Sequence, residues 1–356
     1  MRRRIGWTAI LWVLGGCVTG VKPPEPTPLV PVAGGMFLFG STETCFNIGE
    51  TPIQCKDAEQ NRDPAGLKKA WPTVLVDLPA FRIEEHEVTN FQYRYCVEMG
   101  ACTEPRITGT TGVEDYYGNP DFDDYPVFGV TLEQARKYCE FLGRRLPTEV
   151  EWERAAAGLA AQEAEKRRSA IRNGEKQVEK CPTESLNVAM LACTGVQRPN
   201  AVKASADDWV QENGQFIWDL TGNVSEWVDN RWREDLTCQE ALPESCDCFA
   251  CLTPACKEDC YTRCTACETA GESCFTQCSS AVFAPNGLPR CIRYTGTQPP
   301  SVLQVATGTE VPVRGGNFLT NRNNICRART VDRSQKWSLE QVRPDVGFRC
   351  AADAVP

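Results

Sequence analysis

Gly143-Arg144-Arg145-Leu146-Pro147-Thr148-Glu149-Val150-Glu151-Trp152-Glu153 decides how the rest of this chain is read. Thr148 followed three residues later by Glu151 is a capping box: the hydroxyl takes the N–H of the third helical residue, and the glutamate reaches back to the threonine's own N–H. A helix is predicted to open there and to stop at Gly158, since glycine accepts the left-handed backbone that ends helices. The same device recurs on the N-terminal side, at Thr89-Asn90-Phe91-Gln92 and at Thr131-Leu132-Glu133-Gln134. The first of these helices is predicted to stop near Gly100. The second carries Leu132, Ala135, Tyr138, Cys139 and Leu142 on one stripe, which turns Cys139 inward. Further out, Gly34-Gly35-Met36-Phe37-Leu38-Phe39-Gly40 reads as a short strand bounded by glycines. The charged stretch 161–180 reads as a solvated helix or loop insertion.

The chain has 356 residues, 42% hydrophobic and 24% charged, enough apolar material for a sizeable core. Its formal net charge is -9, and no long basic run follows Arg2-Arg3-Arg4. That argues against nucleic acid as a partner, because nothing would release its counterions. Twenty-one cysteines point to an oxidising compartment or to metal clusters. The single histidine, His86, stands between acids in Glu84-Glu85-His86-Glu87 and is expected at the surface.

The N-terminus speaks for export. A positive n-region precedes a short apolar run, Ile5 to Leu14, which is too short to span a bilayer. It ends in Leu14-Gly15-Gly16-Cys17, which resembles a lipobox with Cys17 as the lipidated residue; the alternative is an ordinary secretory signal. Residues 1–16 are thus expected to be a lipoprotein signal peptide. Residues 17–31, with Pro23, Pro24, Pro26, Pro28 and Pro31, are expected to form a stiff tether at the cell envelope, on the outer membrane or periplasmic face.

Six blocks in order resemble the formylglycine-generating-enzyme, or sulfatase-modifying-factor, family. They are Gly34 to Gly40, Glu87-Val88-Thr89-Asn90-Phe91-Gln92-Tyr93, Gly143 to Glu153, Asp219-Leu220-Thr221-Gly222-Asn223-Val224-Ser225-Glu226-Trp227, Arg314-Gly315-Gly316-Asn317-Phe318 and Gly347-Phe348-Arg349-Cys350. The resemblance implies a single α+β domain over 32–354, related to C-type lectins and low in regular secondary structure.

It also implies a chemistry, oxidation of a protein cysteine by O2 at Cu(I) held by two thiolates, a soft ligand pair suited to that ion. In the register set by the flanking glycines, those two positions hold Thr320 and Ile325, and the family's substrate-contacting serine is Asn317. Cys326 stands one residue off. No copper is therefore expected, and no catalytic residue is assigned. A sulfoxide-synthase branch of the fold needs histidine-bound iron, which one histidine cannot supply. For calcium, the resemblance implies the side chains of Asp219 and Glu226 with the carbonyls of Gly222 and Val224, hard oxygens from a tight turn. The alternative is that both acids only hydrogen-bond the turn. A second calcium set would use Asn187 and the carbonyl of Val188, but its aspartate position is Thr194.

With Cys17 lipidated, twenty cysteines remain, an even number. The family's staple carries over to Cys139 and Cys350. A second family disulfide would need cysteines at Ala156 and Thr330, and both are missing together. Sequence proximity suggests Cys45–Cys55, Cys96–Cys102 and Cys181–Cys193, although spacing does not settle connectivity. Eleven cysteines fall between Cys238 and Cys291, in an insertion over 236–300. There, Cys260 and Cys264, and Cys274 and Cys278, lie one helical turn apart, so two antiparallel turns would pair Cys260 with Cys278 and Cys264 with Cys274. The rival is a zinc or iron–sulfur module using Cys248-x2-Cys251 and Cys264-x2-Cys267. The odd count leaves one bridge out of the insertion, with Cys326 the leading partner. Two functions remain in view: a non-catalytic module binding an envelope protein or glycan, and a formylglycine-generating oxidase acting without the copper pair.

Overall fold

The computed structural model describes residues 23–41, 43–44, 56–57, 74–160, 163–175, 198–229, 291–293, 310–320, 325–332 and 335–354. In chain order the strands before the helices are β1 (Leu29–Val32), β2 (Gly35–Phe39), β3 (Glu43–Thr44), β4 (Lys56–Asp57), β5 (Val74–Leu78) and β6 (Phe81–Glu84). The helices follow: α1 (Asn90–Glu98), α2 (Leu132–Phe141) and α3 (Glu149–Ala157). Then come β7 (Trp209–Glu212), β8 (Gln215–Trp218), β9 (Ser225–Trp227), β10 (Cys291–Arg293) and β11 (Glu310–Arg314). The last are β12 (Lys336–Ser338), β13 (Val346–Gly347) and β14 (Ala351–Asp353). This is a mixed α+β domain with few helices, as expected.

All three capping boxes form, with threonine hydroxyl and returning Gln or Glu side chain both in place. The helix ends fall at Met99 and Gly158, and the Gly158 φ of 86° is left-handed. On α2 the residues Leu132, Ala135, Tyr138 and Cys139 are buried, and Cys139 is bonded to Cys350. Cys96 and Cys102 form a second disulfide at the end of α1. Cys45, Cys55, Cys181, Cys193, Cys260, Cys264, Cys274, Cys278, Cys17, Asn187 and Val188 lie outside the described residues.

Among the described residues, five sheets carry the rest. β6 is flanked antiparallel by β1 and β14. β5 pairs antiparallel with β2 and parallel with β10, which falls within 236–300. A four-stranded sheet runs β12-β11-β9-β13 and takes in residues of three of the quoted blocks. β7 and β8 form a hairpin, and β3 pairs with β4. One apolar core lies between α3, β2, β6 and the hairpin, centred on Trp152, Phe37 and Phe39. A second joins α1, α2, Trp227 and Phe348 around the two disulfides.

Three expectations need correction. The tether does not run to residue 31: Thr27 and Val30 are buried and β1 is part of a sheet. Pro31 is tolerated because β1 is an edge strand, where a missing N–H costs no ladder bond, and Pro28 precedes the strand. The segment 163–175 is not simply solvated. Lys166 is buried with its ammonium 2.8 Å from Glu153, and Ser169, Ala170 and Ile171 are buried with it. Its charges are there because α3 is buried along its whole length and its acids need partners. Finally, His86 is not a surface residue; it is only 8% exposed.

Candidate functional site

The turns at β9 and β11 meet at one buried polar centre. β11 ends in Arg314, which lies within the fold: its guanidinium contacts Glu149 at 3.1 Å, Glu153 at 2.6 Å and the Thr330 carbonyl at 2.7 Å, and it stacks over Trp152. Gly316 must be glycine, because a Cβ there would come within 2.6 Å of the Thr221 carbonyl. That close approach sets the following loop against the turn before β9, where Gly316 N–H donates to Thr221 and Phe318 N–H donates to Asn223.

The loop after Gly316 closes on itself. Asn317 N–H donates to the Thr320 hydroxyl at 2.9 Å, Thr320 N–H donates to the Asn317 carbonyl at 2.8 Å, and Leu319 N–H donates to the Asn317 side-chain oxygen. The Asn317 amide then donates inward to Ser225 Oγ at 3.0 Å and to Asp345 at 3.2 Å. Gln335 donates to the Gly315 carbonyl at 3.1 Å and to Ser225 Oγ at 3.3 Å. Asn317 and Thr320 are both buried, Thr320 completely. Ile325 and Cys326 open a 3-10 turn, Ile325–Ala328, and their side chains lie outside the described residues.

Beside this loop lies a cluster of buried acids with one guanidinium at its centre. Arg349 binds Glu226 with two nitrogens, Nε at 2.8–2.9 Å and Nη2 at 2.7 Å. It also donates to the carbonyls of Trp218 at 2.8 Å and Glu84 at 3.2 Å. Trp152 Nε1 donates to Glu226 as well, at 2.9 Å. Glu87 accepts from Asn223 Nδ2 at 2.7 Å and Val224 N at 3.1 Å. Asp208 accepts the Thr221 and Gly222 N–H groups. Asp219, whose own backbone is left-handed at φ 59°, accepts Lys203 N–H through Oδ2, while its buried Oδ1 has no hydrogen-bond partner. Burial pushes the carboxyls of Glu87, Asp208 and Asp219 above the usual range, and for Glu87 the neighbouring Asp219 and Glu226 push the same way. His86 donates Nδ1–H to the Glu87 carbonyl, and burial lowers its pKa to about 4.

A family model described as the sulfatase-modifying factor enzyme 1-like domain matches residues 20–354. The chain belongs to this family. Among curated relatives, hercynine oxygenase of Mycolicibacterium smegmatis is 32% identical over 165 residues, 39% of this chain and 35% of that protein. Serine/threonine-protein kinase pkn1 of Chlamydia pneumoniae is 30% identical over 247 residues, 63% of this chain and 32% of that protein. Formylglycine-generating enzyme of Bos taurus is 21% identical over 377 residues, 96% of this chain and 79% of that protein. The chain spans 26% to 35% of the length of the first three curated relatives it matches. Among solved structures, PvdO from Pseudomonas aeruginosa is similar with a TM-score of 0.48 at 17% identity, covering 92% of this chain and 94% of that one.

As a sulfatase-modifying-factor domain, the chain can be tested for the groups its family implies. Copper does not fit at Thr320: a hydroxyl is a poor ligand for so soft an ion, and this one already accepts the Asn317 N–H. Calcium does not fit the set Asp219, Gly222, Val224 and Glu226 as these side chains stand. A carboxylate offers about four lone-pair positions, and those of Glu226 are taken by Arg349 and Trp152. Of the side-chain oxygens in that set, Asp219 Oδ1 is the one left without a hydrogen bond. The structure therefore brings Asn317, Thr320, Asp219, Gly222, Val224 and Glu226 close together, through the turn contacts of Gly316 and Phe318. The sequence reading gave no role to Glu87, Asp208, Arg349, Gln335 or Asp345. Glu87 and Arg349 stand inside quoted family blocks, which was a usable signal; Asp208 and Asp345 had none.

Proposed function

We propose that this chain is a non-catalytic binding or scaffolding module of the sulfatase-modifying-factor family, exported and held at the cell envelope by lipid on Cys17. One observation carries the reading. Where the family's copper loop would begin, Thr320 is fully buried and its hydroxyl is hydrogen-bonded within a closed Asn317–Thr320 turn. The loop is locked from below by Ser225, Gln335 and Asp345. None of the four side chains of this turn is a soft ligand. The partner is an envelope protein or a glycan.

The second reading, an oxidase converting a protein cysteine to formylglycine, is supported by the likeness to formylglycine-generating enzyme over 96% of this chain. A peptide assay separates the two. The full chain, supplied with copper and O2, is expected to leave a C-x-P-x-R cysteine peptide unchanged by mass. Aldehyde formation that persists in Cys326→Ser would overturn the module reading. Aldehyde formation lost in that variant would overturn it too, and would make Cys326 the metal ligand.

A further inference from the structure

We propose that the outward face of the β7–β8 hairpin, where Trp209, Phe216 and Trp218 lie together, is a binding surface for a neutral pyranose oligosaccharide. The face follows from strand register. Asn213-Gly214 turns the chain with both φ values positive, 49° and 79°, the two-residue turn that matches the twist of its strands. Trp209 then faces Trp218, Val210 faces Ile217 and Gln211 faces Phe216. Successive residues of a strand point to opposite faces. Val210 and Ile217 are buried in the core around Trp152, so Trp209, Trp218, Gln211 and Phe216 point outward.

Phe216 is 38% exposed, one of three large apolar side chains that stand out among the described residues, with Met99 and Leu159. It lies between two further rings. Its centroid is 5.2 Å from that of Trp209, edge to face, and 5.6 Å from that of Trp218. The Trp209 indole is fixed in place by its Nε1–H, which donates to the Ala206 carbonyl at 3.1 Å. A pyranose ring has a flat face of C–H bonds, whose partial positive charge meets the negative face of an aromatic ring. Its hydroxyls lie at the rim, where exposed Gln211 offers an amide that can both donate and accept.

Charge and area select this partner. The ionised side chains beside the hairpin are paired: Lys203 with Glu85 at 3.3 Å, Arg172 with Asp207 at 2.6 Å, and Glu212, turned under the ribbon, with Arg154 and Arg167. What the face presents is rings and an amide, which complement an uncharged molecule rich in hydroxyls. Each strand has four residues; such a strand runs about 13 Å and its neighbour lies about 5 Å away, so the face covers on the order of 150 Å². A second copy of the chain, or another protein, needs about 800 Å² per partner for a stable complex. A short stretch of sugar needs far less. The surface shares no residue with the Asn317–Thr320 turn; it gives the module reading a partner, and its role in the cell rests on that reading.

The test applies the full chain to immobilised neutral hexasaccharides of glucose, mannose, galactose and N-acetylglucosamine. Retention on at least one of them is expected, and it should survive added salt, because no ion pair contributes to it. Phe216→Ala should weaken it about tenfold, the scale of one lost ring contact. Its melting temperature should stay that of the wild type, since the side chain is exposed, and Phe216→Tyr, which keeps a ring, should bind like the wild type. No retention on any of the four sugars, retention that salt abolishes, or retention that Phe216→Ala leaves intact overturns the proposal. Self-association of the chain that Phe216→Ala abolishes would assign the face to a second copy and overturn it as well. Failure here leaves the module reading with an envelope protein as its partner, whereas aldehyde formation in the peptide assay would sink the module reading and not the sugar binding.

Discussion

Arg349 is the guanidinium that touches Glu226 among the described residues, and it faces buried Glu87 and Asp219 as well. Lysine could keep the charge but not the two-nitrogen fork on Glu226 together with the Trp218 carbonyl. Arg349→Lys is expected to cost about 3–5 kcal/mol in denaturant unfolding, the scale of a broken buried pair. Because Arg349 and Trp152 fill the acceptor positions of Glu226, a calcium chelator should leave the melting temperature unchanged; a fall of several degrees would mean that Glu226 turns from Arg349 to the ion. His86 gives a pH dependence with a defined sign. Its pKa is lowered to about 4 in the folded chain, against about 6.5 when unfolded. Between these values the unfolded chain binds a proton that the folded chain refuses, so this contribution is intact above pH 6.5 and shrinks as pH falls towards 4. The stability gap between wild type and His86→Gln should narrow by about 3 kcal/mol over that window. None of this was legible at His86 itself, since flanking acids read as surface while burial comes from β6 and the loops packed on it.

The helices were the most legible elements, because their signals are local. A threonine and its partner three residues on decide the start of each helix without help from distant chain. Thr148→Ala should therefore cost about 1 kcal/mol, measured by thermal unfolding against Thr148→Ser as the near-neutral control. The two observed disulfides differ in a way that chain length predicts. Cys139–Cys350 closes a separation of 211 residues and Cys96–Cys102 one of 6. On the loop-entropy argument, replacing the long bridge by two alanines should cost about 5 kcal/mol and the short one about 2. What stayed illegible were the partners of α3. Arg314 reaches Glu153 across 161 positions and Lys166 arrives from a segment that read as solvated. No periodicity announces such a pairing; only the packing of α3 against β2 and β11 creates the need for it. The candidate site divides the same way. Its residues were readable as family blocks, but not the hydrogen bonds among Asn317, Ser225 and Gln335 that close it.

At the scale of the whole molecule, attachment has a direct test. Metabolic labelling with a palmitate analogue should mark the wild type and not Cys17→Ser, and equal labelling of both would end the lipoprotein reading. Whatever holds the N-terminal end, the way β1 is built into the fold decides how the domain bears a load. β1 pairs with β6 over four residues, Leu29 with Glu84 through Val32 with Phe81, and on the other side of β6 lies β14, next to the Cys139–Cys350 bond. A pull along β1 stretches its ladder in shear, loading the hydrogen bonds together rather than opening them one after another like a zip. Beside the ladder, Arg144, Asn213 and Arg154 hold the carbonyls of Thr27, Pro31 and Ala33. Behind it β6 keeps its other neighbour, and β14 stays bolted to α2 through sulfur. The domain is thus built with a mechanical fuse at the end where the chain would be tugged, and a covalent lock directly behind it.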